Sequence, residues 1–372
     1  MTSVHNETAI VIGASGQDGY FLTRTLLAEG KVVHAIVRRA EARNALAGSS
    51  WATTALHIHE IDLTAPAKLL DLVARLRPAE VYNLAGQSSV SRSFSEPRLT
   101  WLTNAEFVAV ILETLRLHSP LSRFYQASST DMFGGASGTT VVYDEDSVLN
   151  PQSPYASAKA AAHLLCRSYR EAYNLRIACG ILANHESHRR GKHFLSRKIV
   201  DHVAAIGAMD TSSVAPLKVG NLKIRRDWGF APDYVQGMRL VLRQVATRAA
   251  RAGGSHSFYH EPDEGQAYRD YTLSTGCTYT VWELIDAAFA LGGYSLDWHL
   301  DGSDPVSWHA RFREDGRLAV EVDQNLLRPT DPLEIRVDSS RARRELGWAP
   351  HTGLEVFLYD MLNGEAEQKS VA

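Results

Sequence analysis

Two kinds of apolar spacing alternate along the first half of this chain. Ala9-Ile10-Val11-Ile12 is an unbroken apolar run, and Lys31 to Val37, Leu56 to Ile61, Glu80 to Ala85, Phe124 to Ser128 and Leu175 to Leu182 repeat it. Between these runs apolar residues fall three and four apart. Residues 18–29 place Phe21, Leu22, Leu26 and Leu27 on one side, and Ala65 to Leu76, Leu99 to Leu117 and Pro154 to Tyr173 follow the same rule. Short continuous apolar runs suit strands covered on both faces, and the three-four spacing suits helices with one buried side. Their alternation predicts an α/β fold, a doubly wound parallel sheet of Rossmann type. Past residue 190 the pattern loosens: 233–250, 281–291 and 338–346 read as helices separated by Gly- and Pro-containing loops. The expected organisation is a Rossmann domain over residues 1–190, rejoined by some later segments, and a smaller C-terminal α/β domain over most of 191–372.

Composition narrows the function. The 372 residues are 45% hydrophobic, too apolar for a disordered chain. Lys and Arg number 39 against 42 Asp and Glu, which argues against a nucleic-acid binder working through a basic face. A local phosphate pocket stays open. Cys166, Cys179 and Cys277 form no CxxC pair, so neither a disulfide framework nor a structural zinc is expected. Nor is any other metal site. His185-Glu186-x-His188 does not set both imidazoles on one helical face, and His256-x-x-x-His260 lies among glycines that suit a surface loop. A short polar start running straight into a strand gives no signal peptide, and no apolar stretch reaches membrane length. A cytoplasmic enzyme is expected.

The first chemistry lies just after the first strand. Gly13-Ala14-Ser15-Gly16-Gln17-Asp18-Gly19 spaces its glycines G-x-x-G-x-x-G at a strand–turn–helix junction. Such a turn lets backbone N–H groups and a helix N-terminus approach a pyrophosphate. The second strand ends in Val37-Arg38-Arg39, where arginine favours a ribose 2′-phosphate over a free hydroxyl, so the expected dinucleotide is NADP. Asp62-Leu63, ending the third strand, is placed to meet the adenine amino group.

Tyr155-Ala-Ser-Ala-Lys159 gives Y-x-x-x-K at the start of a helix, with both side chains on one face. A lysine charge beneath a tyrosine favours the phenolate, and a phenol of lowered pKa can take a hydroxyl proton while hydride leaves the same carbon. The strand end Ser128-Ser129-Thr130-Asp131 supplies hydroxyls beside the reacting ring.

These motifs resemble the extended short-chain dehydrogenase/reductase superfamily, and several stretches look like its GDP-mannose 4,6-dehydratase family. They include Gly16-Gln-Asp-Gly19, His34 to Arg39, Tyr82 to Val90 and Tyr169 to Tyr173. Others are Asn184-His-Glu-Ser187 with Arg189-Arg190-Gly191 and Arg197-Lys198-Ile199, then Arg226-Asp-Trp-Gly229 and Leu327-Arg328-Pro-Thr330. The likeness spans roughly residues 8–350. It implies a redox-neutral dehydration of a GDP-hexose with NADP used catalytically. Tyr155, Lys159 and the Ser129 hydroxyl would act at the 4-OH, and an acid at position 131 at C5 and C6. Leu84 and His185 would touch the cofactor, and Ser88, Asn184, Lys198, Arg226, Arg328 and Asp331 the nucleotide-sugar. Arg190 would reach a neighbouring subunit's cofactor in a homodimer or homotetramer. This chain departs from the family pattern at Asp131, where glutamate is usual, at Ser89, where histidine is usual, and at Gly86, where alanine is usual. A catalytic group misplaced by about 1 Å can cost ~10²-fold. The departures therefore leave an epimerase, a dehydratase of other regiochemistry or a ketose reductase as alternatives on the same scaffold. A non-catalytic binder would have no need of Tyr155 and Lys159.

Overall fold

The computed structural model describes residues 7–135, 141–208, 214–251 and 269–370. The apolar runs become a seven-stranded parallel sheet. Its strands are β1 (Thr8–Ile12), β2 (Val32–Val37), β3 (Leu56–Glu60), β4 (Glu80–Asn83), β5 (Arg123–Ser129), β7 (Ile177–Leu182) and β11 (Tyr271–Leu273), in the order β11-β7-β5-β4-β1-β2-β3. The chain runs outward from β1 through β2 to β3, then crosses to β4 on the other side of β1. The loops leaving β1 and β4 therefore part in opposite directions and open a crevice at the carboxyl end of the sheet.

Helices cover both faces because both faces of each strand are apolar. On one, α1 (Gln17–Ala28), α2 (Ala40–Ala47) and α9 (Ala231–Arg251) pack over Val11, Ala35, Tyr82 and Tyr125. On the other, α3 (Ala67–Leu76), α6 (Phe107–His118) and α7 (Pro154–Tyr173) pack over Ile10, Ile36, Val81 and Phe124. Each large side chain buried this way contributes about 1.5–3 kcal/mol.

The run Leu99–Leu117 is not the single helix its periodicity predicts. Two short helices, α4 (Val90–Ser95) and α5 (Pro97–Trp101), lead through a π-helical turn at Leu102–Glu106 into α6. Polar side chains of this stretch serve the loop after β4. Asn104 Nδ2 donates to Gln87 O at 2.8 Å, and Gln87 Nε2 donates to Thr100 Oγ1 at 3.1 Å. A wide turn that aims a side chain into a loop is a recurrent use of π geometry.

Segments beyond residue 190 return to the sheet. β11 pairs with β7, α9 covers the face just described, and α11 (Ser340–Leu346) with Trp348 closes that core. Trp348 Nε1 donates to Asp233 O at 2.9 Å. β6 (Val142–Tyr143) pairs with β16 (Arg336–Val337). A separate core lies among α8 (Leu195–Ala208), α10 (Val281–Leu291), α12 (Leu354–Ser370) and the sheet β13-β14-β15-β9 (Leu296–His299, His309–Phe312, Leu318–Val322, Leu217–Val219). Between the two, β12 (Thr278–Thr280), β10 (Arg225–Phe230) and β8 (Asn184–Glu186) form a three-stranded sheet. Helices α2, α8 and α12 did not stand out in the sequence pattern. Among the described residues no helix is long and apolar enough to cross a membrane.

Candidate active site

The glycine loop is a cradle built by close approach. Gly13 has φ +88°, and a Cβ there would come within 3.0 Å of the Ala85 backbone. A Cβ at Gly19 would lie 2.2 Å from Gly13 O. Gly16 opens α1 without a side-chain cap, so the amides of the first turn keep their partial positive charge for a ligand. These features fit a dinucleotide pyrophosphate. Ser15 is exposed on this loop. Gln17 and Asp18 fasten it to β8: Gln17 Nε2 donates to His185 O at 2.9 Å, and Ser187 Oγ donates to Gln17 Oε1 at 2.9 Å. Asp18 Oδ2 meets His185 Nε2 at 2.9 Å.

Arg38 and Arg39 stand exposed just past β2, Arg39 as the N-cap residue of α2. Asp62 accepts from Thr64 N at 2.9 Å, which holds its carboxyl below the ordinary range, and the Arg38 charge acts in the same direction. Leu63 and Leu84 are half-buried.

Ser153 accepts from Ala156 N at 3.1 Å and Pro154 occupies the first position of α7, which puts Tyr155 in the first turn and Lys159 one turn on. Both are 8% exposed. Lys159 Nζ donates to Ala127 O at 2.9 Å and lies 5.9 Å from the centre of the Tyr155 ring. On β5 and the turn after it, Ser129 Oγ donates to Asp131 Oδ2 at 3.2 Å. The expectation of a lowered Tyr155 pKa is corrected here. Burial raises it, the Asp131 carboxylate raises it further, and a hydrogen bond with Ser129 opposes them. Burial also lowers Lys159 to about 8, against the pull of Asp18. Desolvation outweighs the neighbouring charges because both groups sit in the protein interior.

Three of the proposed substrate residues meet. Arg226 Nη2 pairs with Asp331 Oδ1 at 2.9 Å, Arg226 Nη1 donates to Pro332 O at 2.8 Å, and Arg328 Nη1 approaches Asp331 Oδ1 at 3.4 Å. Arg226 is buried, so a surface pair with its neighbour Asp227 is excluded. Asp227 instead accepts from Thr275 N and Gly276 N at 3.1 and 2.8 Å. The field of Asp131 reaches both Arg226 and Tyr155, and that of Asp18 reaches Tyr155 and Lys159. The first turn of α1, the Tyr–Lys pair, Asp131 and Arg226 thus lie within reach of one another's charges. Asn184 is half-buried at the start of β8, opposite Trp228. Ser88 is exposed after β4. Lys198 is exposed on α8, and its charge reaches His193 together with those of Arg190 and Arg92. Arg190 turns back on its own chain, 2.9 Å from the buried Glu186 carboxylate and 3.6 Å above the Phe194 ring.

A polar cluster beneath β5 was missed by the sequence reading. Ser128 Oγ and His163 Nδ1 are 3.0 Å apart, and His163 Nε2 lies 3.7 Å from Asp270 Oδ2. Its signal was a histidine four residues past Lys159, the spacing of the Tyr–Lys pair itself. His163, Cys179 and Asp270 are close enough together for a metal, but Arg170 occupies the Asp270 carboxylate from two sides, at 2.6 and 2.9 Å. The His256/His260 pair lies outside the described residues.

A switch-point crevice, a glycine cradle and a buried Tyr–Lys helix face define a Rossmann-type protein of the extended short-chain dehydrogenase/reductase class. The chain belongs to the GDP-mannose 4,6-dehydratase family, whose model matches residues 10–260 and 263–361. It is 35% identical over 370 residues to GDP-mannose 4,6 dehydratase 2 of Arabidopsis thaliana, covering 96% of this chain and 87% of that one. To the GDP-mannose 4,6-dehydratase of Sinorhizobium fredii it is 34% identical over 364 residues, covering 96% and 95%. Among solved structures, a dTDP-glucose 4,6-dehydratase of Streptomyces venezuelae with NAD and TYD bound matches at TM-score 0.73 and 21% identity, covering 98% of each chain. RMD from Pseudomonas aeruginosa, complexed with NADPH, matches at TM-score 0.69 and 21% identity, covering 97% and 99%. At that identity the two structures speak for the fold.

Proposed function

We propose that this chain dehydrates GDP-mannose to the GDP-4-keto-6-deoxy sugar, with NADP as a cofactor that is not consumed. The observation that carries the reading is the gathering of Ser129, Asp131, Tyr155 and Lys159 beside the glycine cradle, in a chain of this family. The cradle would hold the pyrophosphate, Arg38 and Arg39 a 2′-phosphate, and Asp62 the adenine amino group. When bound, the dinucleotide would supply reversible hydride chemistry at the sugar C4 and C6.

The protein's own groups move the protons. Tyr155 Oη takes the 4-OH proton, and Ser129 Oγ hydrogen-bonds O4. Lys159 supplies a positive charge beside the phenolate that forms, in an interior where that charge acts at low dielectric. The 4-ketone acidifies C5–H. Asp131 then accepts that proton and delivers it to the departing 6-OH, so that water leaves and the carboxylate is regenerated; in the last step the proton held by Tyr155 passes to C5, so that the phenol also returns to its starting state. Aspartate is one methylene shorter than glutamate. The Ser129 hydroxyl holds it at a defined place, which shifts where the sugar must sit without removing the acid. Arg226 and Arg328 would take the diphosphate, with Asp331 dividing its charge between them and the ribose.

We also place the reaction in the cytoplasm, a reading supported by Cys166, Cys179 and Cys277 remaining free thiols. The test is incubation of the purified protein with GDP-mannose and NADP, with the product followed by mass and NMR. Loss of one water with a C4 ketone and a new C6 methyl is expected. Bound NADP with no loss of water would overturn the reading in favour of epimerisation or ketose reduction.

A further inference from the structure

Three successive turns of α7 face the last three residues of β5. Lys159 Nζ holds Ala127 O, and His163, one turn further, holds Ser128 Oγ at 3.0 Å. Tyr155, one turn before Lys159, lies by Ser129, whose hydroxyl favours the phenolate. The His163 contact is the one anchored from behind. His163 is buried, and on its far side Nε2 faces the Asp270 carboxylate. Asp270 is itself fixed by two bonds from Arg170 and by Cys179 N at 2.9 Å. The groups facing His163 are thus Ser128 from β5, Cys179 from β7, Asp270 from the segment entering β11, and Arg170 from its own helix.

We propose that His163 is a positioning residue. Clamped between Ser128 and Asp270, it fixes the register of α7 on β5 and so sets where Tyr155 and Lys159 stand against Ser129 and Asp131. An imidazole suits the task because its two nitrogens reach opposite partners along one line, one from each of two strand ends. At 3.7 Å from the Asp270 carboxylate, Nε2 is placed for a charge attraction that the protonated ring makes. Burial lowers the imidazole pKa, and Cys179 and Asp270 outweigh it, so the net shift is upward. The cation would donate through Nδ1 to Ser128 Oγ and leave the serine proton to point into the crevice. No bond is made or broken by His163; it acts through α7. The chemistry being positioned is the one proposed above, and the inference rests on that reading for its kinetic consequence only.

The first measurement needs no sugar. In the full-length protein with 13C-labelled lysine, the Lys159 ε-carbon should titrate near pH 8, apart from exposed lysines, and Lys159→Arg assigns it. In Ser128→Ala and in His163→Gln we expect this midpoint to fall further below the ordinary lysine value of 10.5, because the Ala127 carbonyl that accepts from the ammonium moves away, with the double variant moving no further than either single one. An unchanged Lys159 midpoint in both variants overturns the proposal. If His163→Gln fails to fold, Ser128→Ala, which removes one hydroxyl, decides alone. Should the wild type prove inactive on GDP-mannose, the functional reading falls while the titration still decides this one. With activity present, kcat should fall roughly 10-fold or more in each variant with KM within about 2-fold; equal losses through KM would indicate a general structural defect and count against it.

Discussion

His185 turns both ring nitrogens toward acceptors: Nδ1 lies 2.7 Å from Ala183 O and Nε2 lies 2.9 Å from Asp18 Oδ2. A neutral imidazole has one N–H and would leave one of these contacts repulsive, so the ring is an imidazolium. Burial lowers the His185 pKa, but the Asp18 carboxylate outweighs it and the net shift is upward. Asp18 in turn is held below its usual range, the His185 charge overcoming burial. The pair fastens the glycine loop to β8 across 167 residues of sequence.

The pH dependence of this tie follows from the two directions. The raised His185 pKa contributes stability that is complete below the unfolded value of 6.5 and is lost as pH rises through the folded value. The lowered Asp18 pKa contributes stability present above 3.8 and lost as pH falls through its folded value. We expect His185→Gln to cost about 1.5–3 kcal/mol between those limits. Thermal melts from pH 5 upward should show the difference from wild type shrinking as His185 deprotonates; a constant difference would contradict the ion pair.

Asp131→Asn keeps the shape of the side chain and removes its basicity. The variant should bind nucleotide-sugar and cofactor as wild type does and stop after oxidation at C4. Reduced cofactor should accumulate in a single turnover with no water lost from the sugar. Full dehydration by this variant would remove Asp131 from the mechanism.

Tyr155→Phe should abolish the transient reduced-cofactor signal, with a loss of at least ~10²-fold, because the phenol that takes the 4-OH proton is gone. Stopped-flow absorbance reads this directly. A signal of wild-type amplitude and rate would assign the proton transfer elsewhere.

In the proposed function Arg38 and Arg39 meet the ribose 2′-phosphate and so would set a preference for NADP. The double change Arg38→Ala and Arg39→Ala should weaken NADP binding by roughly 10- to 100-fold while leaving NAD within a few-fold, since a guanidinium–phosphate contact is lost only for the phosphorylated ribose. Calorimetric titration of both dinucleotides decides it. Equal weakening of the two would place the arginines elsewhere on the cofactor.

Gly86 stands where the family usually carries alanine, and the fold explains why this chain does not. Its φ is +142°, and a Cβ there would lie 2.2 Å from Asn104 Oδ1. Gly86→Ala should therefore destabilise the protein by about 1–3 kcal/mol in urea unfolding. Asn104→Ala in the same chain should recover part of that loss. No recovery would show that the backbone conformation, rather than the clash, forbids alanine.

Much of this was legible in the residues themselves. Gly13, Gly16 and Gly19 at a strand–turn–helix junction, and Tyr155 four residues before Lys159 behind a Ser-Pro helix start, are local patterns. Hydrogen-bond geometry fixes what such spacings mean within one or two turns. The alternation of apolar runs likewise fixed the parallel sheet, because a strand buried on both faces must be apolar on both. Contacts that span the chain had no such local signature. That Arg226 pairs with Asp331 rather than Asp227 and that Asp18 meets His185 depended on which loops the sheet order brings together. The same holds for Tyr155: its spacing from Lys159 is written in the sequence, but the direction of its pKa was decided by burial, which only the packed tertiary structure sets.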